Sequence, residues 1–382
     1  MLYGHPSRMT KGLLERLAAG ELIIGDGSFV FLLERRGYVS AAAWTPEACV
    51  LYPEAVRQLH REYLRAGADV MQTATFYSSD WQLQHVASFR NDEKMKNLTT
   101  GDINSAAVDL ARGVAEEGGA LVAGSVSPVS SIAFKKGKEH VINEFQKQMA
   151  IFKEKKVDFL LGEFFINIEE AEWAIQIMAE IGVPVACTMR IPPTGDASGC
   201  SPQECAVRMA KAGASVVGIN CMYDPTICLE TVALMKQGLK EAGLQTYLMV
   251  QPLGFHTQEP GYVDDKRGYN ALPDWPYAME PRAISRLDVH NYARAAYELG
   301  VRYIGGCCGF EPHHIRAIAT ELSDERGGLP PAAYNVTPWD ALKVSNSSSY
   351  WVKTDKEYWD NLTPSTGRQL QTFATLQSKT DQ

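Results

Sequence analysis

The sequence predicts an α/β protein of the (β/α)8 class, a TIM barrel with a C-terminal extension, on three observations. A unit of amphipathic helix, glycine and short apolar run recurs along most of the chain. The apolar runs are largely continuous rather than alternating, as strands covered on both faces of a parallel sheet read. Eight similar units with no dinucleotide-binding glycine fingerprint favour a closed ring over an open doubly wound sheet.

In chain order the units are "LAAGELIIGDG" (17–27), "LRAGADVMQTATF" (64–76), "AEEGGALVAGSVS" (115–127), "KEKKVDFLLGEFF" (153–165), "AEIGVPVACTMRI" (179–191), "AKAGASVVGINC" (210–221), "KEAGLQTYLMVQPLG" (240–254) and "YELGVRYIGGCCG" (297–309). A glycine just past a helix takes the left-handed conformation that closes its last turn. The fourth unit carries Lys where the others carry Gly. Between the strands the patterning predicts helices over 53–66, 104–117, 139–155, 167–181, 201–212, 226–242, 285–299 and 311–322. The last opens with Pro312 near its first position and puts Ile315, Ile318, Ala319 and Leu322 on one face.

Three stretches, 77–103, 128–138 and 255–284, are too long for plain connections. Each follows a strand, which places it at the C-terminal mouth, where barrel enzymes carry binding loops. From about residue 326 the pattern stops. The remainder is turn-rich yet aromatic, with Tyr334, Trp339, Tyr350, Trp351, Tyr358 and Trp359, so it reads as an arm that packs on a surface such as another subunit's. The expected division is therefore a barrel over 11–325 and an arm over 326–382, whose final dozen residues read as disordered.

Composition narrows the function classes. The chain has 382 residues, 45% hydrophobic, and a net charge of −8 with no Lys/Arg-rich block, which argues against a nucleic-acid or anionic-membrane partner. The start lacks the apolar core of an export signal, and no apolar run reaches the roughly 18 residues of a membrane span. The expectation is a cytoplasmic protein. Eight cysteines in such a chain do not form a disulfide framework, and close pairs read as metal ligands.

Strand-end register brings polar groups to one place. Asp26, Thr73, Glu163, Thr188, Asn220, Cys221, Gln251, Cys307 and Cys308 all fall where strands should open onto the mouth. Strands 6 and 8 are near neighbours around the ring, so Cys221 can meet the adjacent pair. Three thiolates make a soft site that selects Zn2+, one per subunit, and three protein ligands leave a fourth tetrahedral position open. Both adjacent cysteines can ligate only if the backbone bends, which Gly305, Gly306 and Gly309 permit. A strained vicinal disulfide and a pair of inert buried thiols are the other readings. Cys49, Cys187, Cys200, Cys205 and Cys228 read as buried small hydrophobes. His313 and His314 sit in the first turn of a helix pointing away from the strand end, which suits packing and hydrogen bonding.

Asp26 and Glu163 are carboxylates at the same mouth, suited either to capping backbone amides or to holding a cation such as an amino acid's ammonium. Trp44, Phe76, Tyr77 and Phe164 follow strands 1, 2 and 4 and can wall a pocket. Rings around a desolvated onium ion gain roughly 2 kcal/mol or more per contact.

"GDGSF", "RRGYV", "WTPEA", "YPEAVRQLHREYLRAG", "MQTATFY", "ECAVRMAKAGASVVGINC" and "GVRYIGGCCGFEP" together resemble the betaine–homocysteine S-methyltransferases, a branch of the homocysteine methyltransferase superfamily. The likeness runs from about residue 11 to 332 and weakens in 78–103, 128–140 and the tail. It implies a zinc-dependent, homocysteine-binding barrel in which Cys221, Cys307 and Cys308 are the ligands. By the same resemblance Asp26, Gly27 and Glu163 hold homocysteine, while Trp44 and Tyr77 belong to the betaine pocket. Methyl transfer from betaine to the homocysteine thiolate would give methionine and dimethylglycine, with no cobalamin or folate. Members are usually homo-oligomers, here a dimer or tetramer, with C-terminal segments contributing to assembly. The family's residue after the strand-4 Glu is usually Tyr, and this chain has Phe164. The ring is kept and the hydroxyl lost, which leaves another onium donor, such as S-methylmethionine or a dimethylsulfonio compound, as the alternative.

Overall fold

The computed structural model describes residues 11–40, 46–129, 134–257 and 268–335. Eight parallel strands carry the fold: β1 Ile23–Ile24, β2 Val70–Gln72, β3 Leu121–Val126, β4 Phe159–Phe165, β5 Val185–Met189, β6 Val216–Asn220, β7 Tyr247–Gln251 and β8 Tyr303–Ile304. The ladder runs β1-β8-β7-β6-β5-β4-β3-β2, and Ile23 of β1 lies opposite Tyr303 of β8. The remaining gap between β1 and β2 is spanned by Asp69. Its N–H donates to the Ile24 carbonyl at 2.7 Å, and its carboxylate accepts from the Ile24 N–H at 2.8 Å. These bonds complete the ring of a (β/α)8 barrel, as the repeat predicts.

The helices in chain order are α1 Leu13–Ala18, α2 Val30–Arg35, α3 Ala48–Leu51, α4 Pro53–Ala66, α5 Asp80–Arg90, α6 Thr100–Gly118, α7 Lys138–Glu154, α8 Ile168–Ala179, α9 Pro202–Ala212, α10 Pro225–Glu241, α11 Arg286–Leu299, α12 Pro312–Glu321 and α13 Ser323–Arg326. The eight expected helices are present with ends shifted by a few residues at most. Glycines close α4, α9 and α11 in the left-handed region, with Gly67 at φ 111°, Gly213 at 119° and Gly300 at 97°. In the unit lacking glycine the backbone does the same thing with a side chain present: Lys156 sits at φ 54°. The 77–103 stretch is not a plain loop, because it folds α5, whose first turn is capped by Ser79 accepting from the Gln82 N–H.

Strand periodicity divides the interior into two faces. Ile23, Val70, Leu121, Ala123, Phe159, Leu161, Ala186, Val216, Met249 and Tyr303 point into the lumen and pack as one cluster, closed from below by Leu13 and Leu17 of α1. The alternate residues pack outward against the helix ring. Beside that floor Arg16 of α1 and Arg326 of α13 both pair with the buried Asp69 carboxylate, at 2.9 and 2.5 Å. The arm beyond residue 335 lies outside the described residues, as do parts of the 128–138 and 255–284 stretches. No helix among the described residues is long and apolar enough to cross a membrane.

Candidate active site

Two residues above the apolar floor the same lumen face turns polar. It presents Gln72, Ser125, Glu163, Thr188, Asn220 and Gln251, one from each of β2 to β7, because a strand repeats its facing every second residue. Gln72, Glu163 and Gln251 of this tier line a cavity of about 290 Å3. Asp26, Gly27, Thr73, Phe76, Tyr77, Glu163, Phe164, Cys221, Cys307 and Cys308 all line it. The expected catalytic, substrate-binding and metal-binding residues that the structure describes therefore converge there, while Thr188 and Asn220, also expected at the mouth, are not among its lining. Trp44 lies outside the described residues.

The three thiols lie within 4.8 Å of one another, with Cys307 and Cys308 sulfurs 4.0 Å apart. Neither cysteine of the pair is on the strand, which ends at Ile304. They occupy a turn closed by the Phe310 N–H donating to the Cys307 carbonyl at 3.0 Å, with Gly309 at φ 81°. The turn is pinned to β7's continuation, where the Cys307 N–H donates to the Pro252 carbonyl. The bend thus falls after the pair, at Gly309. A Cβ there would meet the Phe255 ring at 2.5 Å. Cys221 follows β6 and is itself left-handed, at φ 60°. All eight cysteines are free thiols, which removes the vicinal disulfide. Cys49, Cys187, Cys205 and Cys228 are buried as expected, whereas Cys200 is half-buried and lies 3.6 Å from the Arg208 guanidinium.

Three sulfurs this close cannot all ionise without a cation among them. Burial opposes ionisation of Cys221, but hydrogen bonds from the Cys307 and Cys308 thiols draw its pKa well below the ordinary value. Donating to Cys221 pushes Cys307 and Cys308 well above it. Three soft donors converging on one point fit a thiophilic metal ion.

The carboxylates are buried within the same walls. Glu163 accepts from Ser125 Oγ at 2.6 Å, Gln72 Nε2 at 2.7 Å and Asn220 Nδ2 at 3.4 Å. Burial still pushes its pKa up to about 7. Asp26 accepts from the Gln72 N–H at 2.9 Å, yet burial, with the Glu163 charge nearby, holds its pKa well above the usual carboxylate range. Two carboxyls that resist ionisation in one cavity are relieved by a cationic ligand. Gln251 adds a buried amide oxygen with no hydrogen-bond partner. Gly27 leaves room where a Cβ would meet the Phe310 carbonyl at 2.6 Å.

Aromatic rings form one wall. Phe76 contacts Tyr77 at 4.2 Å between centroids and Phe164 edge-on at 5.2 Å. Tyr77 and Phe164 hold φ values of 56° and 71°. With Cys221, three residues of this cavity therefore sit in a conformation that side chains disfavour. Asn220 maintains one of them. Its amide oxygen accepts the Phe164 N–H and the Thr188 hydroxyl, both at 2.8 Å, while its Nδ2 reaches the Cys307 sulfur at 3.9 Å.

Some residues here were invisible to motif reading. Gln72 and Ser125 carry no chemistry of their own, and only counting back in twos from Glu163 and its neighbouring strands could have found them. Tyr269 contacts Cys308 through its hydroxyl from a short 3-10 turn, Gly268–Ala271, within the long stretch after β7. His314 behaves as expected: Nδ1 accepts the Glu311 N–H and Nε2 faces the Ile284 carbonyl, away from the thiols.

Known proteins match the chain closely. A family model described as homocysteine S-methyltransferase covers residues 23–322. Betaine–homocysteine S-methyltransferase 1 from Xenopus tropicalis is 53% identical over 95% of this chain and 88% of its own length. The Mus musculus protein of that name is 53% identical over 94% and 86%. An S-methylmethionine–homocysteine S-methyltransferase from Rattus norvegicus is 49% identical over 94% and 95%. Among solved structures, the metallated homocysteine methyltransferase MmuM from Escherichia coli shares the fold with a TM-score of 0.57 at 20% identity, over 79% of this chain and 96% of that one. On its sequence and its barrel, this chain belongs to the homocysteine S-methyltransferase family.

Proposed function

We propose that this protein transfers a methyl group from betaine to the thiolate of homocysteine, giving methionine and dimethylglycine, with one Zn2+ held by Cys221, Cys307 and Cys308. The observation that carries the reading is the meeting of three thiols, two buried carboxyls and an aromatic wall around one cavity. The two 53% identical relatives from Xenopus tropicalis and Mus musculus are named for this reaction.

When bound, zinc supplies the positive charge that keeps a fourth sulfur ligand deprotonated near neutral pH, where a free thiol is only a few per cent ionised. The chain's own residues do the rest. Asp26 and Glu163 take the homocysteine ammonium, whose charge lets both carboxyls ionise, and Gly27 admits the amino-acid end against the backbone. Thr73 lines the same floor, its hydroxyl held by the Ser125 N–H at 2.9 Å. Phe76, Tyr77, Phe164 and Trp44 surround the donor's trimethylammonium and exclude water. Sulfur attacks the methyl carbon in line, the S–C bond forms, the C–N bond breaks, and its electron pair stays on the nitrogen of dimethylglycine. Alignment of two bound reactants contributes on the order of 7 kcal/mol to such a displacement.

Methyl-labelled betaine with homocysteine tests the reading directly: labelled methionine is expected, and its absence refutes the donor. A second reading keeps the acceptor and changes the donor to S-methylmethionine or a dimethylsulfonio compound. Phe164, which offers a ring without a hydroxyl, and the 49% identical relative named for S-methylmethionine favour it. A donor panel decides between them. The same proposal makes 11–325 the homocysteine-binding unit and 326–382 an arm in a cytoplasmic dimer or tetramer, which light scattering on the intact and arm-deleted chains would test. The exposed rings of Phe89 and Tyr334 are available to such contacts.

A further inference from the structure

One cation lining this cavity has no ion-pair partner among the described residues. Arg190 follows β5 by one residue. The two-residue period that turns Ala186 and Thr188 into the lumen carries it to the same side, one step nearer the mouth. It lines the cavity, and its guanidinium carbon lies 4.4 Å from the centroid of the Phe164 ring. Its Nε is buried without a hydrogen-bond partner, and among the described residues no carboxylate pairs with it. Elsewhere on the surface arginines find such partners: Arg208 holds Glu172 at 2.6 Å, and Arg112 holds Asp158 at 2.8 Å.

A partly buried guanidinium left unpaired is unfavourable unless a ligand completes it. Its place over the Phe164 ring occupies a face of the group and leaves edge donors for a ligand, and a guanidinium takes a carboxylate through two parallel hydrogen bonds. Phe164 itself has no hydroxyl to offer. One face of its ring is covered by the guanidinium, which leaves its other face and the Phe76 and Tyr77 rings to an onium group. A ligand with a methylated cation at one end and a carboxylate at the other then spans the cavity, cation inward and carboxylate at Arg190.

We propose that Arg190 binds the carboxylate of the methyl donor and so selects onium carboxylates over onium compounds that lack one. This rests on the methyl-transfer reading above. It assigns Arg190 to donor recognition, not to the methyl transfer step, which is left to the sulfur and the in-line methyl.

The experiment uses the full-length, zinc-loaded protein and the variants Arg190→Gln and Arg190→Lys. Loss of a charge-assisted pair should raise the betaine KM of R190Q at least about tenfold. The homocysteine KM and the thermal midpoint should stay unchanged, and R190K should recover part of the loss. The wild type should prefer betaine to betaine methyl ester, and R190Q should lose that preference. A merely structural Arg190 would instead shift both substrates or both donors together. A betaine KM within about twofold of wild type in R190Q, or no carboxylate preference in the wild type, overturns the inference. If the wild type transfers no methyl from any donor, the methyl-transfer reading fails instead. Calorimetric titration with dimethylglycine then decides Arg190 by itself, with binding weakened in R190Q supporting it and equal binding overturning it.

Discussion

Asn220 is the polar residue whose removal should do the most damage for its size. It is 1% exposed, and its amide oxygen accepts from the Phe164 N–H and the Thr188 hydroxyl at 2.8 Å each. In Asn220→Ala the two donors fare differently. Thr188 already lies 3.4 Å from the Gly162 carbonyl and can turn to it, so its loss is about 1 kcal/mol. The Phe164 N–H has no such fallback, and an orphaned buried donor costs about 1–3 kcal/mol. The sum is about 2–4 kcal/mol of folding stability, readable from urea unfolding midpoints at unchanged slope. Activity should fall further than stability accounts for. Freed from its anchor, Phe164 can leave its φ of 71°, taking its ring from Phe76 and from Arg190. Measured under conditions where the variant is still folded, kcat/KM for the donor should drop while metal content holds. A loss of stability below about 0.5 kcal/mol would show that the two hydrogen bonds are replaced in the variant and that the reasoning is wrong.

Other outcomes can be measured with the same protein. Burial opposes ionisation of Asp69, but Arg326 and Arg16 overcome it and hold its pKa well below the usual carboxylate value. Its stabilisation is therefore present above the ordinary carboxylate pKa near 3.9 and is lost as pH falls toward the depressed value. Asp69→Asn should cost about 3–5 kcal/mol at pH 7 by removing the buried charge that Arg16 and Arg326 share, and should flatten the acid limb of a stability–pH curve. Lys156→Gly relieves a left-handed side chain worth about 1–2 kcal/mol against a glycine entropy cost of about 0.5–1 kcal/mol, for a net gain of several tenths or more in urea unfolding. Cys307→Ala should abolish stoichiometric zinc by elemental analysis and methyl transfer with it, and prolonged chelation of the wild type should lower its melting temperature. A variant that retained both zinc and full transfer would remove Cys307 from the site.

The parts of this protein that were legible in its sequence are those where one residue type has one physical use. Glycine past a helix marked the ends of α4, α9 and α11, and continuous apolar runs marked the strands. The unit with Lys156 could be read only because its neighbours repeated, since the residue itself contradicts the backbone it adopts. The meeting of Cys221, Cys307 and Cys308 was legible because three thiols fall together at the ends of near-neighbour strands, although the turn carrying the pair was placed on the strand. Gln72, Ser125 and Arg190 escaped notice for the opposite reason. Each is common at surfaces, and only the lumen register, set by long-range strand pairing, turns it inward. The helix within 80–90 was hidden because its apolar residues, Leu83, Val86 and Ala87, make too short a stripe to stand out.

The order in which the ring closes has a consequence for synthesis of the chain. β8 lies between β7 and β1, so the last strand to be made pairs with the first. Cys221 leaves the ribosome well before Cys307 and Cys308, yet the three cannot face one another until that final insertion. A nascent or truncated chain ending before Cys307 has one of the three sulfurs and offers an ion no chelate. The trithiol can therefore assemble only in a chain that has passed Cys308 and seated β8, so its formation reports closure of the barrel.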